Sequence, residues 1–146
     1  MQIFVYTIEK KEGFKGEVER YKTLARPFAK LSTISVYDRR LGRASDPRKI
    51  YRELLSRYLL TDGLNVILTP DGKLLDTPQF TDQLLKDRSK VAFFIGGSYG
   101  FEEEFKKEGF NLSLTPLTLS HQLAKLVLVE QIYRGLTILH NHPYHK

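Results

Sequence analysis

The sequence predicts an α/β fold: a mostly parallel sheet flanked by helices, in a single domain spanning residues 1–146. Three observations predict it. Segments of strand character alternate with segments of helical character along the whole chain, the order expected of parallel strands joined by helical crossovers. Two runs, LNVILT at 64–69 and VAFFI at 91–95, are apolar almost without interruption, as strands covered on both faces are. No repeat, linker or low-complexity segment divides the 146 residues, a length that suits one domain.

Residues 1–8 (MQIFVYTI) are rich in β-branched and aromatic side chains, with Ile3 and Val5 on one face, and read as the first strand. Residues 14–25 set Phe14, Val18, Tyr21 and Leu24 or Ala25 at three-and-four spacing, a helical stripe. Pro27 ends it, having no N–H to donate and disfavouring helix at Arg26. Residues 32–37 alternate, with Ile34 and Val36 on one side, and make the second strand. DRRLGRA at 38–44 is a basic loop. Asp46 and Pro47 open the next helix, Asp46 as N-cap and Pro47 at the first helical position. Its apolar face is Ile50, Tyr51, Leu54, Leu55, Tyr58 and Leu59; its other face carries Arg48, Lys49, Arg52 and Arg57. After the strand at 64–69, Pro70-Asp71-Gly72 signals a turn. Thr77-Pro78 repeats the cap-then-proline start for a short helix reaching Arg88. The strand at 91–95 runs into Gly96-Gly97, FEEEFKKE at 101–108 is a short helix closed by Gly109, and 111–114 is extended. LTPLTLS at 114–120 is a loop with little polar character. Residues 121–135 form a last helix with Leu123, Leu126, Val127, Glu130 and Tyr133 along one side, and Leu128, Val129 and Ile132 over much of the rest. A helix apolar nearly all round is deeply buried or covered by a partner. In so short a chain this points to a homodimer.

Composition excludes several classes. Hydrophobic content of 41% with 27% charged residues excludes a mainly disordered chain. With no cysteine there is no disulfide framework, thiolate nucleophile or cysteine-ligated metal. No apolar run approaches ~18 residues, so no membrane span is expected. MQIFVYTIEKKEG lacks the charged and apolar regions of a secretory signal, and the expected compartment is the cytoplasm. The net charge of +6 is unevenly spread: residues 1–60 hold 14 Lys/Arg against 7 Asp/Glu, residues 61–146 hold 9 against 10. The basic excess of the first part suggests a polyanion partner, since phosphate contacts come from Lys and Arg; a well-solvated surface is the other reading.

Gly96-Gly97-Ser98-Tyr99-Gly100 follows a buried strand, where open α/β sheets bind ligands. It is neither the dinucleotide fingerprint nor a phosphate-cradling loop, and a tight turn explains it equally well. All four histidines, His121, His140, His142 and His145, lie near the end of the chain. No acidic residue neighbours the tail His140-Asn141-His142-Pro143-Tyr144-His145-Lys146, and Pro143 breaks any regular spacing. No metal site is therefore expected; a site wall or partner contact fits better, and histidine can take a proton near neutrality. Glu102, Glu103 and Glu104 suit the exposed start of a short helix.

Read together, FFIGGSYG, then LSLTPLTLSHQLAKLVLVEQIYRG, then NHPYHK resemble the ribosomal RNA large subunit methyltransferase H family, small methyltransferases of the SPOUT type. The matching positions are Ile95-Gly96-Gly97, Gly100, Thr118-Leu119-Ser120-His121, Val127, Glu130-Gln131, Tyr133-Arg134 and Tyr144-His145. VILTPDGKLLDTPQF fits the family's earlier strand and turn. The likeness is close from residue 64 to 146 and thin before it. Ile8-Glu9-Lys10-Lys11 stands where the family has a Gly-Lys turn, and Ser120 stands where a proline usually precedes the loop histidine.

The resemblance implies a SPOUT-type α/β knot, with a C-terminal trefoil knot that periodicity could not suggest. It implies S-adenosyl-L-methionine as cofactor, a homodimer, and methylation of N3 of a pseudouridine in large-subunit (23S) ribosomal RNA, and the expected partner is that RNA within an assembled ribosomal particle. Carried over by residue, the cofactor pocket is Leu68, Gly96, Leu114, Thr115, Pro116, Leu117, Thr118 and Leu119. The candidates to help the chemistry are His121, Arg134, Tyr144 and His145. Against these stand simpler roles: Arg134 pairing with Glu130 one turn away, and His121 capping its helix. Two rival functions remain, a SPOUT methyltransferase acting on tRNA and a non-catalytic ribosome-binding module of the same fold. The expected division is docking on RNA by Arg39, Arg40, Arg43 and the helix from Arg48 to Arg57, with chemistry in the later half.

Overall fold

A computed structural model describes residues 1–146. Five parallel strands form one sheet in the order β2-β1-β4-β3-β5: β1 (Gln2–Ile8), β2 (Lys30–Val36), β3 (Leu64–Leu74), β4 (Lys90–Ile95) and β5 (Phe110–Ser113). The helices are α1 (Lys15–Ala25), α2 (Arg48–Ser56), α3 (Thr77–Phe80), α4 (Glu103–Lys106) and α5 (His121–Leu139). The α/β fold with a parallel sheet agrees with the expectation.

Strand alternation sends side chains to opposite faces, and each face has its own core. Ile3, Val5, Val66, Val91 and Phe93 meet α1, α3 and α5, with Leu128, Val129, Ile132 and Leu136 supplying the buried face of α5. Tyr6, Ile8, Ile67, Ala92 and Phe94 meet α2 and α4 through Tyr51, Leu55 and Phe105. The central strands β1 and β4 are covered on both sides, which is why VAFFI reads as a continuous apolar run.

Several boundaries differ from the sequence expectation. The Pro70-Asp71-Gly72 turn sits inside β3: Leu112 of β5 pairs with Leu68 and again with Lys73, and the residues between bulge out. A Cβ on Gly72 would lie 2.7 Å from backbone atoms of Asn111 and Leu112, so only glycine lets the strands close after the bulge. The helix expected to reach Arg88 breaks into α3 and a π-helical turn at Thr81–Leu85. Its cap is Asp76, reciprocated by Gln79, rather than Thr77. Pro47 occupies the N-cap of α2, while Asp46 accepts the Arg48 N–H at 3.2 Å from one residue further out. Part of the basic loop, Arg39–Gly42, is a 3-10 turn. α5 continues past Gly135 to Leu139. Leu123 on α5 is 38% exposed, so the first turn of that side is not core, whereas Tyr133 further along it is 4% exposed and packs in the core.

Candidate functional site

All strands of a parallel sheet deliver their following loops to one edge. There, between the carboxyl ends of β3, β4 and β5, lies a cavity of ≈ 500 Å³. β3 contributes Leu68 and Thr69, and β4 leads into Gly96 and Gly97. The loop after β5 brings Leu114, Thr115, Leu117, Thr118 and Leu119 across the opening and delivers His121 at the first turn of α5. Pro116 is exposed and is not among the lining residues.

The loop holds its shape through short internal bonds. The Ser113 hydroxyl donates to the Thr115 carbonyl (3.1 Å), and the Leu117 N–H donates to Thr115 Oγ1 (3.2 Å). Ser120 accepts the Leu123 N–H at 3.2 Å and so caps α5, which removes that role from His121. The N–H groups of Thr118 and Leu119 donate to no group of the protein, and backbone donors of this kind serve the polar edge of a ligand. The Thr69 hydroxyl donates to Asp71. That bond, with Lys106 adding, holds the Asp71 carboxyl below the usual carboxylate range.

The wall toward α2 is built on one close approach. A Cβ on Gly97 would lie 2.2 Å from Tyr51 Oη, and Tyr51 is itself 4% exposed. Burial pushes the Tyr51 phenol pKa up, the Tyr99 backbone bond opposing. One turn along α5 from His121, Lys125 is ion-paired with Glu9 beyond the end of β1, both 3% exposed. Glu9 also accepts the Ser35 hydroxyl (2.8 Å) and the Gly13 N–H (3.4 Å).

The tail forms a separate cluster. Arg134 places Nε (2.9 Å) and Nη2 (2.6 Å) on one carboxylate oxygen of Glu130, and the Tyr144 hydroxyl donates to the same oxygen (3.0 Å). The Arg134 guanidinium lies 4.7 Å from the Tyr144 ring centroid, and Nη1 is 3.3 Å from His145 Nδ1. The bond to Glu130 raises the Arg134 pKa; burial, with Tyr21 and Glu130 adding, raises that of Tyr144. His140 and His142 pack instead against Phe28. Arg134 stands thirteen residues along α5 from His121, about 20 Å at ~1.5 Å per residue. A single chain thus brings Arg134, Tyr144 and His145 together and leaves His121 apart from them, at the cavity.

Sequence reasoning missed Thr69, Ser113 and Tyr51. The first two could have been found as residues at the carboxyl ends of strands. Tyr51 read only as part of an apolar helix face, and nothing in sequence spacing marks its contact with Gly97.

A family model described as "Predicted SPOUT methyltransferase" matches residues 1–145. Relatives named ribosomal RNA large subunit methyltransferase H come from Wolinella succinogenes (46% identical, 100% of each chain covered), Nitratiruptor sp. (43%, 99% of each) and Sulfurovum sp. (43%, 100% of each).

Proposed function

The chain belongs to the SPOUT methyltransferase family and, within it, to the ribosomal RNA large subunit methyltransferase H group; on that premise we propose that S-adenosyl-L-methionine is its cofactor and N3 of a pseudouridine in large-subunit (23S) ribosomal RNA its acceptor. The observation that carries this reading is the cavity at the carboxyl edge of the sheet, closed by the apolar loop after β5. Its chemistry fits a nucleoside-bearing cofactor: mostly apolar walls with a few fixed polar groups are the common form of such sites.

In this reading Leu68 and the loop leucines Leu114, Leu117 and Leu119 pack on the flat faces of the base. The free N–H groups of Thr118 and Leu119 bond its edge, and Gly96 keeps the strand end open. Pro116 stiffens the loop from outside. When bound, the cofactor supplies a methyl group on an already electrophilic sulfonium. What remains for the chain is positioning and proton removal. His121 lies at the cavity and holds the place of an acceptor for the N3 proton. Arg134 presents a rigid fork suited to a phosphate or base edge, with Tyr144 and His145 around it. Glu130 already occupies part of that fork, so substrate binding would compete with the Glu130 pair.

The ~20 Å between His121 and Arg134 favours a homodimer, in which a second copy supplies the tail beside each cavity. Leu123, 38% exposed, and Leu117, 73% exposed, are the apolar surface such a partner would cover. The proposal includes the C-terminal trefoil knot, consistent with a chain that leaves edge strand β5 and returns as α5 beneath β1. It also includes a cytoplasmic location beside the ribosome.

The test offers purified protein with labelled methyl donor to free 23S ribosomal RNA, assembled ribosomal particles and tRNA. Label on a pseudouridine of large-subunit RNA is the expected result. Label on tRNA alone means a different substrate, and cofactor binding without transfer to any of them means a non-catalytic module. Either outcome overturns the proposal.

A further inference from the structure

Beside the cavity just described lies a second, of ≈ 430 Å³, which shares Gly97, Ser98 and His121 with it. The rest of its lining comes largely from the segments after β1 and β2: Lys10, Lys11, Tyr37 and Leu41, with Tyr51 and Gln122 completing it. The proposed reaction leaves this space without a role.

Its chemistry is specific. Lys10 and Lys11 are its cations, and Lys10 Nζ stands 5.8 Å from the centroid of the Tyr37 ring. The one carboxylate in the lining, Glu9, is 3% exposed and occupied by Lys125, so it does not offset those charges. Arg39 and Arg43 lie on the same short turn as Leu41 and continue the positive surface outward. Tyr37 is 39% exposed; Lys10 stands over one side of its ring, and the exposed remainder lies beside a basic rim. Cations with an open aromatic ring are the combination that holds single-stranded nucleic acid: the cations take the phosphate, and the ring stacks a base of any identity. The walls are held in place as well. Gln122 Nε2 donates to the Lys11 carbonyl (3.3 Å), and Glu9 binds both Lys125 on α5 and the Gly13 N–H (3.4 Å). The Lys10–Lys11 segment is therefore clamped to the helix that carries His121.

We propose that this second cavity binds one unstacked RNA nucleotide, the immediate neighbour of the one that is methylated, with its base on Tyr37 and its phosphate between Lys10 and Lys11. The proposal rests on the reading of the first cavity as the cofactor site of an RNA methyltransferase. A strand that delivers a base to the shared wall at His121 must lay the next nucleotide along the adjoining wall, and that wall is this cavity. An acidic segment of a ribosomal protein would satisfy the lysines but leave the open ring of Tyr37 unused.

Two measurements test it on assembled ribosomal particles. First, Tyr37 is replaced by the photoreactive p-benzoylphenylalanine, and the crosslink is mapped by primer extension. The expected crosslink falls on the nucleotide next to the methylated one. A crosslink to a ribosomal protein, to distant RNA, or to nothing overturns the proposal. Second, Tyr37→Ala and the double change Lys10→Ala with Lys11→Ala are assayed for methyl transfer. Each should raise KM for the particles roughly fivefold to a hundredfold, with kcat and cofactor affinity within about twofold of wild type, since those limits separate docking from chemistry. Unchanged KM in both variants sinks the nucleotide site while leaving the enzyme reading intact. Absence of transfer by the wild-type protein itself sinks the enzyme reading instead.

Discussion

Replacing Lys125 by Met tests how the first loop is held against α5. Lys125 and Glu9 are each 3% exposed and form a direct ion pair. Methionine keeps the length of the side chain and its packing but removes the charge, leaving the Glu9 carboxylate buried without its cation. Breaking a buried pair from one side costs about 3–5 kcal/mol, because the remaining charge is no longer compensated. Here Glu9 keeps two hydrogen bonds, from the Ser35 hydroxyl at 2.8 Å and the Gly13 N–H at 3.4 Å. The lower end, about 3 kcal/mol, is therefore expected, or a fall in Tm of roughly 10 °C for a chain of this size. Urea unfolding, with wild type and variants compared at the same protein concentration so that the mass-action contribution of any association is held fixed, measures it. Adding Glu9→Gln to Lys125→Met removes the stranded charge and should recover most of the loss. A single variant within 1 kcal/mol of wild type, or a double variant less stable than the single, would refute the reasoning.

Gly97→Ala forces a Cβ to 2.2 Å from Tyr51 Oη. The expected cost is about 1–3 kcal/mol of stability together with a loss of cofactor affinity by calorimetry, and an alanine variant indistinguishable from wild type in both would show the wall to be soft. Arg48 holds the Asp46 carboxyl at about 2, well below the ordinary carboxylate. Its contribution to stability is present above an unfolded value of ~3.9 and fades as pH falls through about 2. An NMR titration should find that midpoint, and Arg48→Ala should raise it toward the ordinary carboxylate value, with the N–H of residue 48 still holding it somewhat low. Arg39→Gln with Arg43→Gln should weaken binding to ribosomal particles and lower the log–log salt slope by ~2. Arg40→Gln should change the slope little, because Arg40 is already paired with Asp38 and Glu53 at 3.1 and 2.9 Å; equal effects from all three arginines would contradict that distinction.

How much of this could be read in advance depended on whether a feature was local. LNVILT and VAFFI announced buried parallel strands because an apolar run needs no knowledge of its neighbours, and both became central parts of the sheet. The β3 bulge was half-legible: Pro70-Asp71-Gly72 gave the turn, but its position inside a strand depends on Leu112 pairing twice, a fact of the partner strand. The π turn at Thr81–Leu85 lay outside the reach of periodicity for a similar reason. Gly135 of α5 packs where a Cβ would meet Leu85 and Thr81 at 2.7 and 2.9 Å, and nothing in either helix alone records that approach. At the site, the loop after β5 showed itself by an apolar composition unusual for a loop. The separation of His121 from Arg134 was in principle legible, since both lie on one helix whose rise is known. The family pattern drew them together by role, and the geometry of one chain holds them ~20 Å apart.

The basic first part of the chain and the nearly neutral remainder suggest docking early and chemistry late. The sheet order argues for a closer arrangement. β1 lies beside β4, and both run in the same direction, with Thr7 opposite Ile95. The segment after β1, with Lys10 and Lys11, must therefore emerge next to the segment after β4, with Gly96 and Gly97. β2 lies on the other side of β1, so Tyr37 and the turn of Arg39 and Arg43 follow at the same edge. Residues separated by more than eighty positions in sequence thus form adjoining walls, and the two cavities share Gly97. The Glu9–Lys125 pair ties the first loop to the last helix beneath that junction. An RNA strand drawn in by the arginines would reach the reacting position across Tyr37 and the two lysines without leaving positive surface. Charge lost at Lys10 and Lys11, like charge lost at Arg39 and Arg43, should then weaken the hold on the substrate and leave the chemical step alone.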